Sequence, residues 1–168
     1  MKKLKIIFFI LTIFFSNISY LAADKEGLED KSYLKVKINN LKNGNDTLKK
    51  ALKYKKKNKI EKANKKLEKA LSFFVLANKE TPNNIEVLKQ LGFVYYLVGD
   101  TIMSEIYYLE GLEIDPNNNL INQRLGELYF NTKRVDLANE RLEVLSICNC
   151  GEYSELKEII SGIKKSKY

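Results

Sequence analysis

Cys148 and Cys150, the only two cysteines of the chain, stand two apart in the run Cys148-Asn149-Cys150-Gly151. Thiols this close can form a disulfide in an oxidising compartment, act as a redox dithiol, or supply half of a shared metal site. The ring that such a bridge closes is tiny, so it removes little chain entropy and is easily reduced. A metal would need two further ligands, and the chain has no histidine to offer them. The plainer reading is a structural bridge, or two thiols packed beneath the helix that follows. Thiol-redox or metal-handling work through Cys148 and Cys150 stands as its alternative.

No other set of residues suits catalysis. The absence of histidine removes the usual base of a nucleophilic triad and the commonest zinc ligand. The carboxylates are scattered over helix exteriors, with no pair in an apolar setting, and no glycine-rich phosphate loop occurs. The expectation is a protein that is not an enzyme and carries no cofactor or metal.

The other chemical feature is charge. Between Lys49 and Lys69 lie eleven lysines and two glutamates, and the whole chain carries a formal net charge of +8. Nucleic acid is not the expected partner. Arginine, which reads phosphate and guanine bidentately, occurs only at 124, 134 and 141. Lysine and asparagine are abundant throughout, as in proteins of AT-rich genomes. A solvated face is the first reading of this stretch. Attraction to an acidic protein, or weakly to an anionic membrane surface, is the second.

The elements that must position these residues are repetitive. Leu91-Gly92 recurs as Leu125-Gly126, and each pair is followed three positions later by tyrosine, Tyr95 and Tyr129. A fixed period of about 34 residues means stacked helical hairpins. With Ile85 as the first position of a unit, Leu88, Leu91, Gly92, Tyr95, Ser104, Tyr108, Gly111 and Pro116 fall at 4, 7, 8, 11, 20, 24, 27 and 32. Small residues let two antiparallel helices approach, large ones fill the gap, and proline stops the second helix. Gly99-Asp100 supplies the turn inside the hairpin. The next unit, from Asn119, has Leu125, Gly126, Tyr129, Ala138, Leu142 and Leu145, with Asn122 at position 4 and Cys150 in place of proline. An earlier unit ends well at Ala70, Phe74, Ala77 and Pro82, but its first helix fits only a frame seven positions earlier, through Ala51 and Tyr54. That unit is read as about 41 residues long against the usual ~34, with two additional turns in its second helix.

Position by position, this pattern resembles the tetratricopeptide repeat (TPR), with Leu88 replacing the usual tryptophan. The resemblance covers residues 44–150 and implies an all-α TPR solenoid of about three helix-turn-helix repeats, 44–84, 85–118 and 119–150. The block Leu145-x-x-Cys148-x-Cys150-x-Glu152-Tyr153-x-x-Leu156 also resembles the ending of small exported TPR proteins of Gram-negative bacteria. After Gly151, Tyr153, Leu156, Ile159, Ile160 and Ile163 keep helical spacing. Residues 151–168 are therefore read as a capping helix, over 152–165, with a fraying tail.

At the other end, Lys2, Lys3 and Lys5 precede the apolar run Ile6–Phe15, and shorter, more polar residues lead to Leu21-Ala22-Ala23. That order is a secretory signal, with cleavage expected after Ala23, and its core is too short for a bilayer, which needs about 20 apolar residues. The expected location is periplasmic or secreted; the alternative is an inner-membrane anchor left uncleaved. Residues 24–43 read as a linker or a loosely packed helix around Tyr33-Leu34.

The TPR resemblance also implies a concave face lined by the first helix of each unit. Phe93, Tyr96 and Phe130 are its candidate anchors, Lys89, Lys55 and Lys56 are expected to attract acidic residues, and Gln123 and Asn131 line the same face. The lysine and asparagine clamp with which some TPR domains hold a C-terminal carboxylate is absent. Leu48 and Leu52 stand there in repeat one, and Lys89 but Phe93 in repeat two. The expected function is a non-catalytic exported scaffold that binds a peptide segment of a partner protein. Self-association stays open as a further interaction.

Overall fold

Three turns set the architecture. Asn58, Gly99 and Lys133 each take a left-handed backbone, at φ 53°, 89° and 65°. At each, the following amide reaches back to a tyrosine carbonyl: Lys59 to Tyr54 at 2.9 Å, Asp100 to Tyr95 at 3.0 Å and Arg134 to Tyr129 at 2.8 Å. This Schellman geometry ends a helix and turns the chain. The turns at 58 and 99 stand farther apart along the chain than those at 99 and 133, so the first unit is the longer one. Glycine takes this conformation freely, whereas lysine incurs a steric cost. Lys133→Gly is expected to raise stability by roughly 0.5–1 kcal/mol in urea denaturation.

The structure is a computed structural model that describes residues 31–166. All its elements among the described residues are helices: α1 (Lys31–Lys56), α2 (Ile60–Glu80), α3 (Ile85–Val98), α4 (Thr101–Ile114), α5 (Asn119–Asn131), α6 (Val135–Leu145) and α7 (Gly151–Ile160). Lys37–Tyr168 forms one compact unit, and the description that follows concerns it; before it, only the helical residues 31–36 are described. The signal read over 1–23 lies outside the described residues. Of the segment 24–43, the described part, from residue 31, belongs to α1.

Asn84, Asp100 and Asn118 cap α3, α4 and α5. Their side-chain oxygens accept from Glu86 and Val87 at 3.0 and 3.3 Å, from Met103 at 3.0 Å, and from Ile121 at 3.2 Å. Helices then pack on their neighbours in sequence, α3 on α4, α5 on α6, and α2 and α4 on the helix that follows each. Buried Leu88, Leu91, Tyr108, Ile121, Leu125 and Leu128 fill the spaces between them. Close approach depends on glycine. A Cβ on Gly92 would meet the Tyr108 ring at 2.5 Å, and the Ser104 hydroxyl donates to the Gly92 carbonyl at 2.8 Å across the same gap.

The long first hairpin is extended on both arms. Gly92 lies against the ring of Tyr108, whereas Gly44 lies against that of Phe74, a much more distant position in the chain. The additional chain is divided evenly about the turn at Asn58, which adds about two helical turns to α1 as well as to α2. Asn40 carries the pairing further, donating to Glu80 at 2.7 Å. α2 accordingly has 21 residues against 14 for α4.

At the other end α7 lies over α5 and α6, burying Leu156 and Ile159, with Leu156 against Gly126. The helix is shorter than the 152–165 expected: it stops at Ile160, and Gly162 takes φ 75°. Ile163 is consequently 80% exposed and lies outside the packed stripe. The tail does not simply fray, since Lys164 donates its amide to Glu158 at 3.0 Å. Among the described residues no helix is long and apolar enough to cross a membrane.

Candidate functional site

The first helices of the three hairpins, α1, α3 and α5, share one face, and a cavity of about 530 Å³ opens on it. α1 contributes Asn45, Leu48, Lys49, Leu52, Lys53 and Lys56, α3 contributes Gln90 and Phe93, and α5 contributes Arg124. Lys49, Gln90 and Arg124 hold the same place in the three units, each nine positions before the left-handed residue of its turn, Asn58, Gly99 or Lys133. So do Leu52 and Phe93, three positions further on in the first two. The cavity therefore follows directly from the stacking of equivalent helices. Its floor is apolar and its walls are cationic.

Phe93 is that floor rather than a projecting anchor. It is 3% exposed, and the Arg124 guanidinium lies over its ring, 3.8 Å from the centroid. An arginine stacked this way keeps its charge at the cavity while its plane packs as an apolar surface. Lys56 lines the cavity, whereas Lys55 is exposed and outside it. Lys89 is ion-paired with Glu86 in its own helix. Phe130 is partly buried against the core.

The remaining candidates gather beyond the cavity, around α5. Glu127 is 2% exposed and Gln123 5%; Gln123 donates to Glu127 at 3.4 Å. The Asn131 amide donates to the Tyr96 hydroxyl and, at 3.1 Å, to the Ser166 hydroxyl, which itself donates to Glu127. Burial raises the Tyr96 phenol above its ordinary value, and its hydrogen bonds with Ser166 and Asn131 pull it partly back. The concave face thus has two parts, an open basic cavity and a polar cluster covered at Ser166 by the segment that follows α7. Sequence reasoning missed Lys49, Lys53, Arg124 and Ser166. For the first three the signal was present: Lys49 and Lys53 are one turn apart, and Arg124 repeats the place of Lys49.

Arg124 also faces Tyr108 from the cavity floor. Burial raises the Tyr108 phenol well above the usual range and Arg124 offsets part of this, while Tyr129 is pushed up to about 12, by burial first and then by Glu105. For a phenol raised above its unfolded value of about 10, the neutral form adds stability that is complete below that pH and lost as pH climbs through the folded value. The fold is expected to weaken from about pH 10 upward. The Tyr108 hydroxyl meets the Arg124 guanidinium in a contact too poorly aligned for a full hydrogen bond. Tyr108→Phe should therefore leave neutral-pH stability within about 1 kcal/mol of the parent, and should reduce the alkaline loss; urea denaturation at about pH 7 and about pH 10.5 measures both.

Cys148 and Cys150 are joined as a disulfide between α6 and α7. No cluster of three or more cysteine, histidine, aspartate or glutamate residues able to hold a metal occurs among the described residues.

No protein-family model and no curated protein sequence matches the chain. Solved structures match it by fold. The first TPR domain of Spaghetti (RPAP3), bound to the HSP90 peptide SRMEEVD, superposes with a TM-score of 0.53 at 18% identity, over 71% of this chain and 92% of that one. The C-terminal TPR-containing domain of an FK506-binding protein of Plasmodium falciparum gives 0.44 at 20% identity, over 77% of this chain and 96% of that one. The described chain is an all-α helical repeat with the TPR fold.

Proposed function

We propose that this chain is a non-catalytic adaptor that holds an acidic, extended segment of a partner protein in the basic cavity between α1, α3 and α5. One observation carries the reading: Lys49, Lys53, Lys56 and Arg124 surround a floor of Leu52 and Phe93. A segment with carboxylates on either side of one aliphatic or aromatic side chain matches that surface in charge and in polarity. The solved TPR domain with a bound peptide supports it, since that peptide carries two glutamates and an aspartate. The seat differs from a carboxylate clamp, because Leu48, Leu52 and Phe93 stand where such a clamp has polar groups.

The exposed lysines of α1 and α2 add a longer-range pull toward any anionic surface, a membrane included, screened within about 8–10 Å at physiological salt. An N-terminal secretory signal would carry the adaptor out of the cytoplasm; cell fractionation and an N-terminal sequence starting at Asp24 test that point.

The reading is tested by selecting a random peptide display library on the immobilised chain. Enriched sequences should combine Asp and Glu with one apolar residue, and a Cys148→Ser/Cys150→Ser chain should retain them. Enrichment without acidic bias would sink the cavity reading. Loss of binding in the double serine variant would favour the thiol accessory instead.

A further inference from the structure

The polar cluster beyond the cavity is closed by residues 164–166, which follow α7, and the closure is built rather than incidental. Gly162, at φ 75°, reverses the chain after α7. The Lys164 amide then bonds Glu158 at 3.0 Å, and its ammonium sits 3.1 Å from Glu155 and 3.8 Å from Glu158. These contacts fix the direction of the tail, and two positions later Ser166 arrives on the concave face. Its hydroxyl donates to Glu127 and accepts from Asn131, both on α5 and far from it in sequence. Glu127 is 2% exposed, and a carboxylate buried to that degree is costly unless donors surround it. Gln123 supplies one donor, and the tail supplies another.

We infer that the tail segment 164–166 is an internal occupant of the concave face, and that a partner segment long enough to run past the basic cavity displaces it. This rests on the peptide-binding reading for its consequence, though not for the docking itself. The displacing segment has a definite chemistry. It is acidic where it crosses Lys49, Lys53 and Arg124, and it presents a hydroxyl or amine donor where it reaches Glu127 in place of Ser166. A segment acidic along its whole length would leave Glu127 without that donor and set like charges together. Polarity along the groove would thereby fix the direction in which a segment binds.

Docking is tested without any partner, on the uniformly ¹⁵N-labelled full chain. Residues 164–166 should show heteronuclear NOE values like those of α7. Ser166→Ala should lower them and shift the Asn131 side-chain amide and the Tyr96 ring resonances, with unchanged helical circular dichroism. Free-tail NOE values, or shifts confined to residues next to Ser166, would overturn the docking.

Displacement is tested with acidic peptides enriched on the chain and extended, beyond their acidic part, by a serine-bearing stretch long enough to reach Glu127. A variant ending at Ile163 should bind them roughly five- to tenfold more tightly than the full chain, as expected if the tail is lifted in about a tenth to a fifth of molecules. Equal affinity overturns displacement. Binding by neither chain overturns the cavity reading, and displacement with it, while docking stands or falls on the NOE values alone.

Discussion

With Lys49, Lys53 and Lys56 all changed to glutamate, the chain is expected to bind its acidic peptides about a hundredfold more weakly, or ~2.7 kcal/mol. Each reversal turns an attraction of roughly 1 kcal/mol or less at a solvated site into a repulsion, and three of them line one cavity. Most of the loss should vanish at high salt, because these side chains are open to solvent and screened. The fold should not suffer. Lys49, Lys53 and Lys56 are exposed, and the reversals reduce the like-charge crowding of the Lys49–Lys69 stretch. A matched change of Lys62, Lys66 and Lys69, on α2 and outside the cavity, alters net charge equally and should cost far less affinity. Anisotropy titrations at two salt concentrations separate the two outcomes. Equal losses in both triple variants would mean that net charge, not the cavity, draws the peptide.

Gly92→Ala is expected to destabilise the protein by about 2 kcal/mol, even though alanine is the better helix former by ~1 kcal/mol. The new Cβ would lie 2.5 Å from two carbons of the Tyr108 ring and 3.0 Å from a third. Tyr108 is 1% exposed, so its ring has nowhere to go, and α4 must move away from α3. That movement stretches the Ser104 to Gly92 hydrogen bond, which is buried. Gly126→Ala should cost less, since its two nearest neighbours are the ends of the Leu156 side chain, at 2.6 and 3.1 Å, and the less yielding Arg141 Cβ is farther, at 3.2 Å. Pairing Gly92→Ala with Tyr108→Leu should recover part of the loss, a coupling that a double-mutant cycle in urea detects. A Gly92→Ala chain at least as stable as the parent would contradict the close helix approach.

The parts of this molecule legible in its sequence are those that repeat. Leu91, Gly92 and Tyr95 recur as Leu125, Gly126 and Tyr129 because each hairpin solves the same packing problem with the same small and large residues. The frame shift of the first unit was also readable, from Ala51 and Tyr54. Its meaning was readable only in part: the pairing of Gly44 with Phe74, which lengthens both arms, spans a stretch of chain that no other unit repeats. The cavity was half visible. Phe93 was singled out as an aromatic at a concave place, but whether it projects or is covered depends on Arg124, which the next hairpin supplies. The tail was beyond reach, because its course depends on one glycine at positive φ and on a glutamate that folding buries. Ile163 misled for the same reason: its helical spacing with Ile159 and Ile160 is interrupted by the turn at Gly162.

Chemical-shift mapping of an enriched acidic peptide on the ¹⁵N-labelled chain tests the central claim most directly. On titration, the largest changes should fall on Leu48, Lys49, Leu52, Gln90, Phe93 and the Arg124 side chain, with Asn131 and Ser166 changing in parallel when the peptide is long enough to displace the tail. Changes gathered on α2 and α4 away from the cavity, or on the Cys148–Cys150 loop, would contradict it.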